Sequence, residues 1–251
     1  MLAVVVVIGG LALGGLLNVL VARLPREREM FGWPRCTRCG RRLAIWQLLP
    51  LVGWIFQGGR ARCCGRRLHW VFPVVEVLCA AALFVFYVRY GLGTAFWFLS
   101  FVSAVLLLTA AIDWLHRVIY TLFILLPALI CIIVSPWVPG LGLVASLVGA
   151  IFAGFAFLIL FVLARFLFPS NAVPFGLGDV YLGIFIGAAV GITNLMPALF
   201  YGVVAAGVFA AGILLLRRAG RTDMPAYISY GSFLCIGALG YLIVQSLLRE
   251  A

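Results

Sequence analysis

Read from its first residue, the chain is a succession of apolar runs separated by short polar breaks. Met1 to Ala22 is uninterrupted. Further runs extend approximately from Val71 to Val88, Thr94 to Ile112, Val118 to Ser135, Leu141 to Phe168, Val180 to Gly191, Leu195 to Leu216 and Ile228 to Leu248. A helix needs about 20 apolar residues to cross a bilayer, so the pattern predicts about eight transmembrane helices, of which the sixth is short. The first run has no charged region before it and no small-residue cleavage site after it, and reads as a retained helix rather than a signal peptide. Pro136, Pro139, Pro169, Pro174 and Pro225 fall between runs, where helix breakers belong. The expected fold is all-α, a polytopic integral membrane helix bundle with a small Cys-containing cytoplasmic loop domain.

One polar break differs from the others. Residues Arg23 to Trp70 carry 11 Arg, two Glu and four Cys. The expected organisation is a first transmembrane helix (1–22), an Arg- and Cys-rich cytoplasmic loop domain (23–70) and a seven-helix membrane core (71–251). Within the loop, Ala44 to Phe56 is apolar but only 13 residues long and contains Pro50. It is too short to span, and packs locally or lies at the interface.

Composition narrows the picture further. With 66% hydrophobic and 10% charged residues, the chain lies far from soluble enzymes and from disordered proteins. The net charge of +11 rests on 18 basic residues, all Arg. Eight alternating spans place sixteen of them on one side and leave Arg89 and Arg249 on the other. By the positive-inside rule, the Cys-rich loop is cytoplasmic and both termini lie outside. Beside a membrane, such a basic loop signals orientation and anionic lipid rather than nucleic acid.

Seven acidic residues exist. Glu27, Glu29, Asp223 and Glu250 sit in polar surroundings and are expected to be solvated. Glu76 lies inside the second run, while Asp113 and Asp179 lie at the edges of the third and sixth. Ionisable groups cost about 2.5–3.5 kcal/mol at a membrane helix centre and mark function or pairing. The third helix runs inward to Asp113 and the sixth starts inside at Asp179, so the two acids can meet near the cytoplasmic surface. A carboxyl pair sharing one proton can take a proton from water and polarise a peptide carbonyl, which is aspartyl proteolysis and requires no cofactor. Which acid takes which part is open, because the proton belongs to the pair. Gly176 and Gly178 permit close backbone approach beside Asp179; the alternative is that Gly-Leu-Gly-Asp is a turn with Asp179 as a helix N-cap.

Six motifs in order then resemble the prepilin peptidase family, membrane aspartyl proteases of the GxGD type. Leu13 to Pro25 (LGGLLNVLVARLP) is similar to the family's N-terminal G-S-x-L-N-V-x-x-x-R-L-P. Cys36-Thr-Arg-Cys39 with Gly59 to Cys64 resembles its paired-cysteine loop, and Pro73-Val-Val-Glu76 its P-x-x-E. Ile112-Asp113 and Gly176-Leu-Gly-Asp179 resemble its two aspartate motifs, and Ile228 to Leu234 (ISYGSFL) its P-F-G-P-F-L. Ala61 stands at a usual cysteine position, Tyr181 where Lys commonly follows the second aspartate, Tyr120 for a Pro and Val173 for a Glu.

The resemblance implies a bacterial inner-membrane enzyme that removes the leader of a type IV prepilin or pseudopilin. Asp113 and Asp179 would be catalytic, and Gly176, Gly178, Glu76 and Asn18 would bind substrate or shape the site. Many members of the family also methylate the new N-terminus with S-adenosylmethionine. No Rossmann glycine loop is visible in this chain, and methylation is left open.

Paired cysteines on a reducing side suggest a tetrahedral zinc site. Cys36 and Cys39 have the spacing, Cys64 can be a third ligand, and the fourth is Cys63 or His69; the alternative is a loop of reduced, uncoordinated thiols. His116, three residues after Asp113, can share a helix face with it. Two other classes compete with the peptidase: a transporter or assembly scaffold, and a methyltransferase or degenerate relative without proteolysis. The oligomeric state is not readable from the chain.

Overall fold

The computed structural model describes residues 1–26, 32–36, 39–167, 176–218 and 229–248. Glu27, Glu29, Asp223, Glu250, Val173, Pro169, Pro174 and Pro225 lie outside them. Among the described residues the regular structure is helical: α1 (Leu2–Arg23), α2 (Val52–Phe56), α3 (Val71–Tyr90), α4 (Thr94–His116), α5 (Leu122–Val134), α6 (Leu143–Leu167), α7 (Leu177–Arg218) and α8 (Tyr230–Leu248). Six of these, α1, α3, α4, α6, α7 and α8, are long and apolar enough to cross a membrane, and α5 with its following turn is shorter. The protein is a polytopic helical membrane protein.

The eight apolar runs thus fall on eight helical segments, because α7 is two helices joined across a kink at Gly191. The sixth and seventh share α7, whose apolar stretch Leu177–Leu215 has 39 residues. At the helical rise this is about 58 Å of contour, nearly twice the hydrocarbon thickness. The stretch breaks at Gly191, where φ 72° and ψ 166° leave the helical region. Asn194 closes part of the gap by donating through Nδ2 to the Val190 carbonyl at 3.1 Å. Its Oδ1 accepts from Tyr241 Oη at 2.8 Å and from Gln245 Nε2 at 3.2 Å, both on α8. A broken helix in an apolar medium needs such side-chain partners for its freed backbone groups.

The chain divides into two compact units, Met1–Ile112 and Asp113–Ala251. In the first, α1 packs on α3 through Gly10 and Gly14. A Cβ on Gly10 would lie 2.6 Å from Ala80 Cα, and one on Gly14 would lie 2.6 Å from Glu76 Cα. This is close packing of small residues four apart, the way membrane helices associate without a hydrophobic driving force. In the second unit, α6 meets α7 where Gly149 and Gly187 cross backbone to backbone, and α7 meets α8 where Gly202 faces Gly237. Ser146 Oγ donates to the Ala188 carbonyl at 2.7 Å and ties the first crossing.

At Gly187 a side chain would run into the Gly149 carbonyl, whereas nothing lies within 4 Å of a Cβ at Gly207. Gly187→Val is expected to cost about 1–3 kcal/mol by overpacking, read as a lower thermal midpoint of the detergent-solubilised protein. Gly207→Ala, which removes backbone freedom from the unfolded chain, leaves the midpoint unchanged or raises it.

Candidate functional site

Asp113 sits in the last turn of α4 and Asp179 in the first turn of α7. Both are buried, at 6% and 8% exposure. They converge on the first turn of α8. A Cβ placed on Gly231 would lie 3.1 Å from Asp113 Oδ2 and 3.3 Å from Asp179 Oδ1, so these oxygens are at most about 6.4 Å apart, the sum of the two distances. Gly231 keeps the space between them free.

Each acid is anchored through one oxygen. Gly176 is the residue before α7, and its N–H donates to Asp179 Oδ2 at 3.0 Å while the Asp179 N–H donates to the Gly176 carbonyl at 3.1 Å. Asp179 is therefore the third helical residue reaching back to the cap, as in half of a capping box. The N-cap position belongs to Gly176, not to Asp179. Asp113 is held from another helix: Ser232 donates to its Oδ2 through the backbone N–H at 2.7 Å and through Oγ at 2.8 Å. Ser232 is the third residue of α8, whose N–H has no partner inside its own helix. Two helix starts, both favourable for negative charge, are thus closed by the two carboxylates.

Local sequence explains why α4 delivers Asp113 here. The helix ends because Arg117 adopts φ 56° and donates its N–H to the Asp113 carbonyl at 2.9 Å, a left-handed C-terminal cap. Trp114 packs edge-on against Phe209 of α7 and Phe233 of α8, with ring centroids 5.8 Å and 6.1 Å away. Phe209 and Phe233 touch at 5.0 Å and complete the wedge. Gly178 is sterically required, since its Cβ would come 2.8 Å from Ile119 Cβ; Gly176 is not crowded in this way.

Two carboxyls facing one common space can work as an acid and a base side by side. Gly231, Ser232 and Trp114 were not among the sequence candidates. The first two lie in the Tyr-Gly-Ser-Phe segment that marked the start of the last helix, and no charge distinguishes them there.

In the first unit the structure joins Asn18 and Glu76. Asn18 Nδ2 donates to Glu76 Oε1 at 2.9 Å and to the Phe72 carbonyl at 2.9 Å. Glu76 Oε2 accepts the Leu51 N–H at 2.7 Å, so this acid, 8% exposed, ties α1, α3 and the turn before α2 together.

The four loop thiols also come together. Cys36, Cys39, Cys63 and Cys64 have all Sγ atoms within 4.8 Å of one another, with Cys36 to Cys64 at 3.7 Å and Cys39 to Cys63 at 3.4 Å. Two matching turns present them. The Cys36 N–H donates to Arg41 O at 2.8 Å and the Gly40 N–H to Cys36 O at 3.0 Å; twenty-five residues later the Ala61 N–H donates to Arg66 O at 2.8 Å and the Gly65 N–H to Ala61 O at 2.8 Å. Both turns close with a bridge, Arg35 to Arg42 and Arg60 to Arg67. The repeat is visible in sequence as CTRCGRR and ARCCGRR.

Ala61 therefore occupies the place of Cys36, and Cys63 supplies the fourth thiol from two residues further on. Hydrogen bonds with Cys39 and then Cys36 push the Cys63 thiol up to about 12, and binding a metal through it would release that proton. The arrangement could hold a structural metal ion. His69, the other candidate for the fourth place, accepts the Val71 N–H through Nδ1 at 3.3 Å.

The fold and the site define a polytopic membrane protein with a buried carboxyl pair closed by helix starts and a four-thiol loop. The family model described as the bacterial peptidase A24 N-terminal domain matches residues 8–90. The prepilin leader peptidase/N-methyltransferase of Bacillus subtilis is 29% identical over 223 residues, covering 86% of this chain and 85% of the relative. That of Dickeya chrysanthemi is 29% identical over 262 residues, covering 93% and 90%, and that of Pseudomonas aeruginosa 29% over 259 residues, covering 90% and 85%. No solved structure matches the chain. Over most of its length the chain is similar to prepilin leader peptidase/N-methyltransferases, the proteins whose motifs it resembles.

Glu76→Ala would leave the Leu51 N–H without its acceptor and the Asn18 amide with only the Phe72 carbonyl. The expected cost is about 1–3 kcal/mol for the exposed donors, measured as a lower thermal midpoint together with faster cleavage by an Arg-specific protease between residues 52 and 70.

Proposed function

We propose that this protein is a membrane aspartyl endopeptidase that removes the leader peptide of a type IV prepilin or pseudopilin at the cytoplasmic face of the bacterial inner membrane. The observation that carries the proposal is the meeting of Asp113 and Asp179 around Gly231, in a chain whose relatives are named prepilin leader peptidases. The arginine-rich loop supports the cytoplasmic assignment of that side.

The chemistry follows from the pair. The ionised carboxyl takes a proton from water as the water oxygen bonds to the scissile carbonyl carbon, and the protonated carboxyl gives its proton to the carbonyl oxygen. When the tetrahedral intermediate collapses, the C–N bond breaks, the oxygen's proton returns to a carboxyl, and the departing amine takes the other proton. Two acids and one water suffice for this sequence. The substrate's apolar helix lies in the bilayer and its leader in the cytoplasm, which accounts for acids placed at helix ends rather than at helix centres.

The four-thiol loop is proposed to hold a structural zinc through Cys36, Cys39, Cys63 and Cys64. A tetrahedral zinc with bonds of about 2.3 Å sets its sulfurs about 3.8 Å apart, and the spacing of 3.7 Å and 3.4 Å between paired thiols supports that geometry.

Asp113→Asn and Asp179→Asn are each expected to abolish leader removal from a purified prepilin, scored by product mass; appreciable cleavage by either variant overturns the paired-acid reaction. The same assay with S-adenosylmethionine reads methylation as a product heavier by one methyl group. For the loop, the purified protein is expected to carry about one zinc per chain. Cys63→Ser should release most of it while His69→Ala retains it, as measured by elemental analysis.

A further inference from the structure

The two acids are not equivalent in their surroundings. Asp113 Oδ2 receives two short hydrogen bonds from one residue, the Ser232 N–H at 2.7 Å and the Ser232 hydroxyl at 2.8 Å. Both are short, well-formed hydrogen bonds on a single oxygen. The N–H belongs to the open start of α8, which adds the positive end of that helix. Asp179 receives a longer bond, 3.0 Å from the Gly176 N–H, and on the oxygen turned to its own cap. Its Oδ1 is the oxygen on the side of Gly231 and Asp113.

Donors converging on one carboxyl favour its charged form over that of its neighbour. We infer that Asp113 is the ionised, water-activating member of the pair, that Asp179 carries the shared proton on the oxygen facing Gly231, and that Ser232 is the positioning residue that sets this division. The inference rests on the peptidase reading above and assigns the roles within it. Proline, which stands at this place in the motif that the segment resembles, has neither an N–H nor a hydroxyl to give.

Other charged and titratable groups also face the pair. Arg117, following α4, acts electrostatically on Asp113, both acids act on Cys235 of α8, and Asp179 acts on Tyr230 at the start of α8. None of them is altered when Ser232 is changed, so Ser232→Ala reads the hydroxyl's hydrogen bond, and Ser232→Pro both hydrogen bonds, against a constant background.

The test is the pH dependence of kcat/KM for leader removal by the full-length protein in detergent, because its acidic limb follows ionisation of the water-activating group. Ser232→Ala is expected to move the acidic limb upward by about one pH unit, the scale of one lost hydrogen bond to a charged group, with the plateau rate changed only a few-fold. Ser232→Thr keeps the hydroxyl and is expected to keep the wild-type limb. Ser232→Val, of the same shape as Thr, is expected to follow Ala, and Ser232→Pro, lacking both donors, to move the limb further the same way.

An unmoved limb in Ser232→Ala and Ser232→Val overturns the assignment while leaving the peptidase reading intact. So does a folded Ser232→Ala protein inactive at every pH, since that would make the serine more than a positioning residue. If the wild-type protein fails to cleave prepilin, it is the underlying reading that has failed, and the two failures are told apart by that control. Should Ser232→Ala not fold, the Thr and Val pair decides the matter by itself.

Discussion

A helix that begins in a water-poor medium has backbone N–H groups with nothing to donate to, and most of the second unit can be understood as the way those groups are satisfied. At α7 the answer is local: Asp179 turns back to the Gly176 N–H three residues before it. At α8 it is distant, since the acceptor for Ser232 is Asp113, 119 residues away along the chain. The same two carboxylates that close the helices are the ones that lie together around Gly231. Structural demand and chemical opportunity coincide at these atoms, and the helix starts cost the protein no additional polar residues.

Close approach depends on small residues throughout. Within a bilayer, lipid is as apolar as a leucine side chain, so helices gain little by hiding apolar surface from it and associate by tight packing instead. Gly10 and Gly14 serve α1 and α3 in the first unit; Gly149 with Gly187 and Gly202 with Gly237 serve the second. The site itself uses the same device, with Gly178 against Ile119 and Gly231 between the acids. Where glycine breaks a helix, at Gly191, Asn194 takes over the carbonyl of Val190 and at the same time fastens α8. The break converts one long apolar stretch into two.

The loop shows how a repeated local structure can survive a change in its chemistry. Both turns keep the same glycine and the same backbone hydrogen bonds, although the first position is Cys36 in one and Ala61 in the other. Adjacent cysteines look unfavourable for a common centre when only spacing is considered. In the folded loop, Cys63 and Cys64 each approach a different thiol of the first turn, Cys39 and Cys36 respectively. The turn geometry, set by backbone hydrogen bonds and by a glycine with φ near 70° in each copy, is indifferent to which position carries sulfur.

Hydropathy alone determined that this is a membrane protein of many helices, because burying 66% apolar residues in lipid is the only favourable outcome and helices satisfy their backbones internally. It also singled out Asp113 and Asp179, since an acid at the end of an apolar run is conspicuous against a background of leucine and valine. Arginine asymmetry and glycine spacing were equally open to reading, as both act through composition or short-range pattern. What only the tertiary structure decided is pairing across distance: that Ser232 serves Asp113, that Glu76 answers Asn18 and Leu51, that Cys63 supplies the thiol missing at Ala61, and that Asn194 ties the break between two apolar runs to α8. Hydrogen bonds between residues tens of positions apart leave no periodic trace in a chain, because their geometry comes from how the helices pack and not from the order of their residues.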